Sequence, residues 1–159
     1  MGHKIAIVGR GGAGKSTLAR RVAQDAGLPL IELDALFWQP GLTPTPPAEW
    51  SQVQRGIIDQ ERWVIDGDLG PYDTALEQRL AAADTIVILD FLLWRCAWRA
   101  LRRSRETWEF WHWVISYRRT SLPAVLSAAG SADADVYRLK TPREVDQFVA
   151  ELRGARRDR

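Results

Sequence analysis

Residues 7–20, IVGRGGAGKSTLAR, join an apolar run to a helix-like segment through four glycines in six positions, followed at once by Lys15, Ser16 and Thr17. Gly9-x4-Gly14-Lys15-Ser16 matches the phosphate-binding loop pattern, with an expected strand before it and a helix after it. Glycines let successive N–H groups turn inward as an anion-binding nest, and the helix N-terminus adds its positive end. The expected nucleotide-binding residues are therefore Gly9, Gly11, Gly12, Ala13, Gly14, Lys15, Ser16 and Thr17. Lys15 is expected to reach the β- and γ-phosphates of ATP, and the Ser16 hydroxyl to ligate Mg²⁺.

Apolar runs alternate with helix-length segments along the rest of the chain. KIAIV, LIEL, WVID, TIVILD and DVYRL read as five strands, and helices are expected over Lys15–Ala26, Ala48–Glu61 and Asp73–Ala82, with Asp73 as a cap. Leu92 to about Ser127 reads as two or three helices, and Thr141-Pro142-Arg143-Glu144 opens a final helix to about Arg153 as a capping box. Strands separated by helices predict βαβ crossovers, and near-continuous apolar strands predict a sheet covered on both faces. The expected fold is α/β, three layers around a five-stranded parallel sheet in the order 2-3-1-4-5. Residues 1–153 are expected to form one domain with a reduced helical lid region at about 92–128, and 154–159 a basic tail.

The other strand ends narrow the chemistry, because ligands of open α/β sheets gather at the carboxyl ends of the strands. Asp34, Asp66 and Asp90 all fall there. Asp66-Gly67 suits support of Mg²⁺, Asp34 suits orientation or deprotonation of an acceptor hydroxyl, and each Asp has the alternative of capping the next helix. A guanine-specific switch needs an Asn-Lys-x-Asp element, and this chain contains no asparagine. With 159 residues it is too short for a transporter ATPase or a helicase core.

IAIVGRGGAGKSTLA, LPLIELDALFW, ERWVIDGDLG and AADTIVILDF, in this order, resemble the adenylate-kinase-related proteins of the DNA topology modulation (FlaR-like) family. The arrangement is also similar to nucleoside monophosphate kinases and to shikimate- or gluconate-type kinases. The resemblance implies that Asp34 faces an acceptor, that Asp66 serves the metal, and that arginines after the fourth strand clamp the moving phosphoryl group. It also implies adenine contacts near Tyr137–Pro142, with Arg138 or Lys140 against the base. One departure bears on the acceptor. Adenylate kinases carry an aromatic-Pro-Arg that grips AMP after the third-strand Asp-Gly, whereas this chain reads Asp66-Gly67-Asp68-Leu69-Gly70. The stretch between Arg105 and Trp108 also looks shorter than the lid of related proteins.

Arg95, Arg99, Arg102 and Arg103 recur at helical spacing, and Arg99 and Arg103 are the preferred phosphoryl-stabilising pair; a solvated or interfacial helix face is the alternative. Trp94, Trp98, Trp108, Trp111 and Trp113 interleave with basic residues, as single-stranded nucleic acid binders do. However, Trp94 with Trp98 and Trp111 with Ile115 have the spacing of core-facing residues. A net charge of only +2 also argues against binding driven by nucleic-acid phosphates. Trp38 and Trp50 flank the proline-rich loop QPGLTPTPP, where acceptors enter related kinases and where loop packing is the alternative, while His3 and His112 read as structural. A lone Cys96 excludes a disulfide framework, and no apolar run is long enough to cross a membrane, so a cytoplasmic monomer or homodimer is expected. The leading expectation is an ATP- and Mg²⁺-dependent phosphotransferase with a small acceptor. The alternative is a nucleotide-gated regulatory or DNA-associated protein with little or no kinase activity.

Overall fold

The computed structural model of the chain describes residues 3–92 and 108–157. Strand β1 (Lys4–Gly9) is fully apolar after its first residue and lies between two parallel neighbours. Those are β5 (Trp63–Asp66) and β6 (Thr85–Leu89), with β2 (Leu30–Glu32) and β7 (Asp135–Leu139) at the edges. The sheet order is β2-β5-β1-β6-β7. Two short strands, β3 (Trp38–Gln39) and β4 (Thr43–Pro44), pair antiparallel in a separate hairpin and shift the numbering. Without them, the five parallel strands stand in the expected order. The hairpin itself replaces the plain loop expected from QPGLTPTPP, and its turn uses positive φ at Gly41 and at Leu42.

Side chains alternate across the sheet and so serve two cores. Ile5 and Ile7 of β1 join Val64, Val87 and Leu89 beneath helices α1 (Lys15–Ala26) and α7 (Pro142–Arg157). Ala6 and Val8 join Ile65, Ile86 and Ile88 on the other face. There they meet α2 (Leu33–Phe37), α3 (Pro47–Ile58), α4 (Leu76–Ala82), α5 (Trp108–Thr120) and α6 (Leu122–Ser131). Helix α1 buries Leu18, Ala19, Val22 and Ala23, a single stripe at helical spacing, and ends at Gly27 in the left-handed region.

Several boundaries differ from the sequence expectation, each for a local reason. Helix α3 ends at Ile58 rather than Glu61, and Pro47 sits in its first turn. Asp73 does not cap α4, which begins at Leu76. Its carboxylate pairs instead with the fully buried Arg79. Helix α6 runs to Ser131 and α7 to Arg157, four residues past Arg153. The capping box of α7 is present: the Glu144 amide donates to Thr141 Oγ1 at 3.3 Å, and the Glu144 carboxylate accepts from the Lys140 amide at 2.7 Å. Ile115 is 61% exposed, against the core-facing role expected from its spacing to Trp111. Among the described residues no helix is long and apolar enough to cross a membrane.

Candidate nucleotide and acceptor site

The phosphate-binding loop starts where β1 and β6 approach too closely for a side chain. A Cβ on Gly9 (φ 144°) would stand 2.5 Å from the carbonyl oxygen of Leu89. Gly12 (φ 77°) and Gly14 (φ 95°) also take the left-handed conformation, and Gly14 is the N-cap of α1. The Ala13 amide donates to the Arg10 carbonyl at 3.2 Å and closes the turn. Gly11 is buried, and Thr17 is exposed on the first turn of α1. The Lys15 ammonium folds back over the loop and donates to the carbonyls of Gly9 (2.8 Å) and Arg10 (3.2 Å).

Asp66 ends β5 beside this loop, its Cα registered with Ile7 on one side and Glu32 on the other. It is 6% exposed and keeps Oδ1 without a hydrogen-bond partner. Burial raises its pKa above the ordinary aspartate value. Ser16 and Lys15 oppose that shift, and Asp34 and Glu32 add to it. Lys15 and Ser16 of the loop and Asp34 of α2, none of them near it in the chain, therefore all act on Asp66. Asp34 itself is exposed in the first turn of α2.

This oxygen set fits Mg²⁺. A hydroxyl and an orphaned carboxylate oxygen are hard donors, and magnesium is commonly held by one or two such groups together with substrate phosphates. Among the described residues there is no cluster of three His, Cys, Asp or Glu side chains that would form an all-protein cage.

Three site residues carry little signal in the sequence. Asp68, 7% exposed, accepts from the Gly70 amide at 2.8 Å and from the Tyr117 hydroxyl at 3.0 Å. Burial raises its pKa, and Lys15 is the largest influence lowering it. Burial, followed by the Asp68 charge, pushes the Tyr117 phenol far above its usual value, so it remains a donor. Arg10, the residue after Gly9, is buried with its guanidinium carbon 5.8 Å from the centre of the Tyr117 ring. The Asp-Gly-Asp repeat at 66–68 is the one local hint of Asp68; the partnership with Tyr117, 49 residues away, has none.

Asp90, at the carboxyl end of β6, is buried and holds two arginines. Arg118 contacts Oδ1 at 3.0 Å and Arg138 contacts Oδ2 at 2.7 Å. Arg138 is thus tethered beside the loop, and Asp90 serves as its anchor. Tyr137 packs on Phe148 with ring centres 4.9 Å apart. Trp50, 1% exposed, packs against Phe37 at 5.0 Å and belongs to the core under the hairpin. Trp38 is half-buried and meets Tyr72 edge to face at 5.5 Å. His3 and His112 are exposed. Arg95, Arg99, Arg102, Arg103, Trp94 and Trp98 lie outside the described residues.

No family model matches the chain. The curated adenylate kinase of Mycobacterium marinum (strain ATCC BAA-535 / M) is 30% identical over 145 residues, covering 86% of this chain and 68% of that protein. The adenylate kinase of Mycobacterium ulcerans (strain Agy99) is 29% identical with the same coverage. Among solved structures, shikimate kinase from Acinetobacter baumannii superposes with a TM-score of 0.67 at 16% identity, covering 93% of this chain and 89% of that one. A gluconokinase from Sinorhizobium meliloti 1021 gives a TM-score of 0.55 at 20% identity, with 96% and 94% covered. These structural likenesses establish the shared fold.

Proposed function

The chain belongs to the adenylate kinase family of P-loop kinases, and we propose that it transfers the γ-phosphoryl group of ATP to a small acceptor in a Mg²⁺-dependent reaction. The observation that carries this reading is the orphaned, buried oxygen of Asp66 at the end of β5, in a carboxylate on which Ser16 and Lys15 of the loop both act. Ser16 and Asp66 would hold Mg²⁺, which would supply positive charge to the transferring phosphates.

The chain's own residues supply the rest. The loop amides and the N-terminus of α1 hold the phosphates, and Lys15 exchanges its two carbonyl partners for phosphate oxygens. Asp34 orients the acceptor hydroxyl and takes its proton. The acceptor oxygen forms a bond to the γ-phosphorus while the bond from that phosphorus to the β–γ bridging oxygen breaks, releasing ADP. Arg99 and Arg103 are assigned to the transferring phosphoryl group, and Arg138, on its Asp90 anchor, to the nucleotide. Membership of the DNA topology modulation branch is part of the same proposal, supported by the stretches LPLIELDALFW and ERWVIDGDLG. So is a cytoplasmic setting.

The test is transfer of labelled γ-phosphate from Mg·ATP across nucleosides, nucleoside monophosphates and small polar alcohols, with Lys15→Ala and Asp66→Asn beside the wild type. Label should appear on an acceptor and fall by roughly 10²-fold or more in both variants, the scale of losing a charge-stabilising group. Tight ATP binding with label passing only to water, or nowhere, would instead support a nucleotide-gated regulator.

A further inference from the structure

Two arginines from separate parts of the chain meet on one carboxylate at the carboxyl end of β6. Asp90 is 3% exposed, and each of its oxygens is taken by one guanidinium. Arg118, in α5, donates to Oδ1 from Nε at 3.1 Å and from Nη2 at 3.0 Å. Arg138, in β7, donates to Oδ2 from Nε at 3.2 Å and from Nη2 at 2.7 Å. The Asp90 amide donates to the Leu139 carbonyl at 2.9 Å, so the backbone ties the carboxylate to the strand that carries Arg138.

This pair stands beside the phosphate-binding loop. Asp90 follows Leu89, whose Cα is registered with Gly9, the first residue of the loop. Arg10, the second, donates to the carbonyl of Phe91 at 3.5 Å, so the loop meets the end of β6 on both sides of Asp90. Ligands of an open parallel sheet gather at these strand ends.

The geometry leaves both arginines fit for a second partner. Their side chains are 45% and 40% exposed although the carboxylate between them is buried. A guanidinium carries five N–H donors in a planar fork. One held side-on through Nε and Nη2 still presents its end-on edge, Nη1 with the remaining Nη2 hydrogen, and that edge matches two oxygens of a phosphate. Charge points the same way. Two guanidiniums drawn to one carboxylate leave one net positive charge and repel each other, and a phosphate at their exposed edges offsets both.

We propose that Arg118 is a nucleotide-binding residue, held on Asp90 beside Arg138 so that the two exposed edges take phosphate oxygens of the nucleotide in the loop. This rests on the nucleotide-binding part of the reading above and is independent of whether phosphoryl transfer follows. Helix α5 and strand β7 each contribute one arginine, and a single buried carboxylate sets both.

The test is equilibrium binding by calorimetry to the full chain with Mg²⁺ present, using two probes, a non-hydrolysable ATP analogue and inorganic tripolyphosphate. Arg118→Gln should weaken both by about tenfold or more, and by similar factors, because the contact is to phosphate and not to the base. Arg118→Lys keeps a cation for Asp90, and so protects the fold, and should still weaken both because an ammonium lacks the planar edge. Arg153→Gln removes an arginine of α7 that pairs with Asp25 and should leave both affinities at the wild-type value. Wild-type affinity in both Arg118 variants, a loss confined to the ATP analogue, or an equal loss in Arg153→Gln overturns the proposal. Label transfer from ATP by the wild type is measured in parallel and separates the two readings. Transfer together with unchanged binding in the Arg118 variants keeps the kinase and sinks this role. Weakened binding of both probes, without transfer to any acceptor, sinks the kinase and leaves this role standing.

Discussion

Tyr117 donates its hydroxyl to Asp68 across 3.0 Å, fastening helix α5 to the turn that follows β5. The next residue, Arg118, pairs with Asp90 at the end of β6. Two consecutive side chains of one helix thus grip the ends of the two strands that flank β1, whose last residue opens the phosphate-binding loop. The Tyr117→Phe variant leaves a buried carboxylate oxygen short of its donor. It should lose about 1–3 kcal/mol of unfolding free energy, read from urea denaturation. Asp68→Asn keeps a carbonyl oxygen for the Gly70 amide and turns its NH₂ toward the Tyr117 hydroxyl oxygen, which can accept, so it should lose less. Equal losses in the two variants would show that the hydroxyl is not the anchor.

Gly9→Ala should be harmful out of proportion to one methyl group. The added carbon meets the Leu89 carbonyl at 2.5 Å, and the backbone holds φ 144°, a conformation alanine rarely adopts. Relief requires β1 and β6 to part beside the phosphate loop. A loss of at least about 2 kcal/mol is expected, together with weaker ATP binding. A variant that melts with the wild type would mean that the loop relaxes freely.

Arg79 and Asp73 form a buried ion pair, with side chains 0% and 2% exposed. Arg79→Met removes the cation and leaves the Asp73 carboxylate buried without it, which should cost about 3–5 kcal/mol. The double variant Asp73→Ala, Arg79→Met should recover part of that loss, because no uncompensated charge remains. Chemical denaturation of the two single variants and the double measures the coupling directly.

Glu144 links the capping box to the pH dependence of stability. Its pKa lies below the usual glutamate value, chiefly because its carboxylate accepts from the Lys140 amide and then from Thr141. A depressed folded-state pKa gives stability that is fully present above the ordinary glutamate range and is lost as pH falls through the lowered value. Glu144→Gln should therefore flatten the acid limb of the melting-temperature profile and leave its slope at neutral pH unchanged. An unaltered acid limb would remove this cap from the account.

Much of the arrangement can be read along the chain because its signals are local. The glycine pattern fixes the loop, apolar runs fix the strands, and an Asp at the end of WVI falls beside the loop because a parallel sheet aligns all its carboxyl ends. The same local reading fails where a side chain's partner lies elsewhere. Asp73 has the spacing of a helix cap yet is captured by Arg79, and Ile115 has the spacing of a core residue yet faces solvent. Trp50 flanks the proline loop but is taken into the core by Phe37.

The sequence by itself determined the three-layer architecture and the phosphate-binding loop, since both follow from periodicity and from conformations open mainly to glycine. Only the tertiary structure decided which charges meet. The unpartnered oxygen of Asp66, the Tyr117–Asp68 anchor and the commitment of Arg79, Arg118 and Arg138 to buried carboxylates all depend on distances between residues remote in the chain. Electrostatic interaction depends on separation and burial in space, and neither is written in the order of the residues.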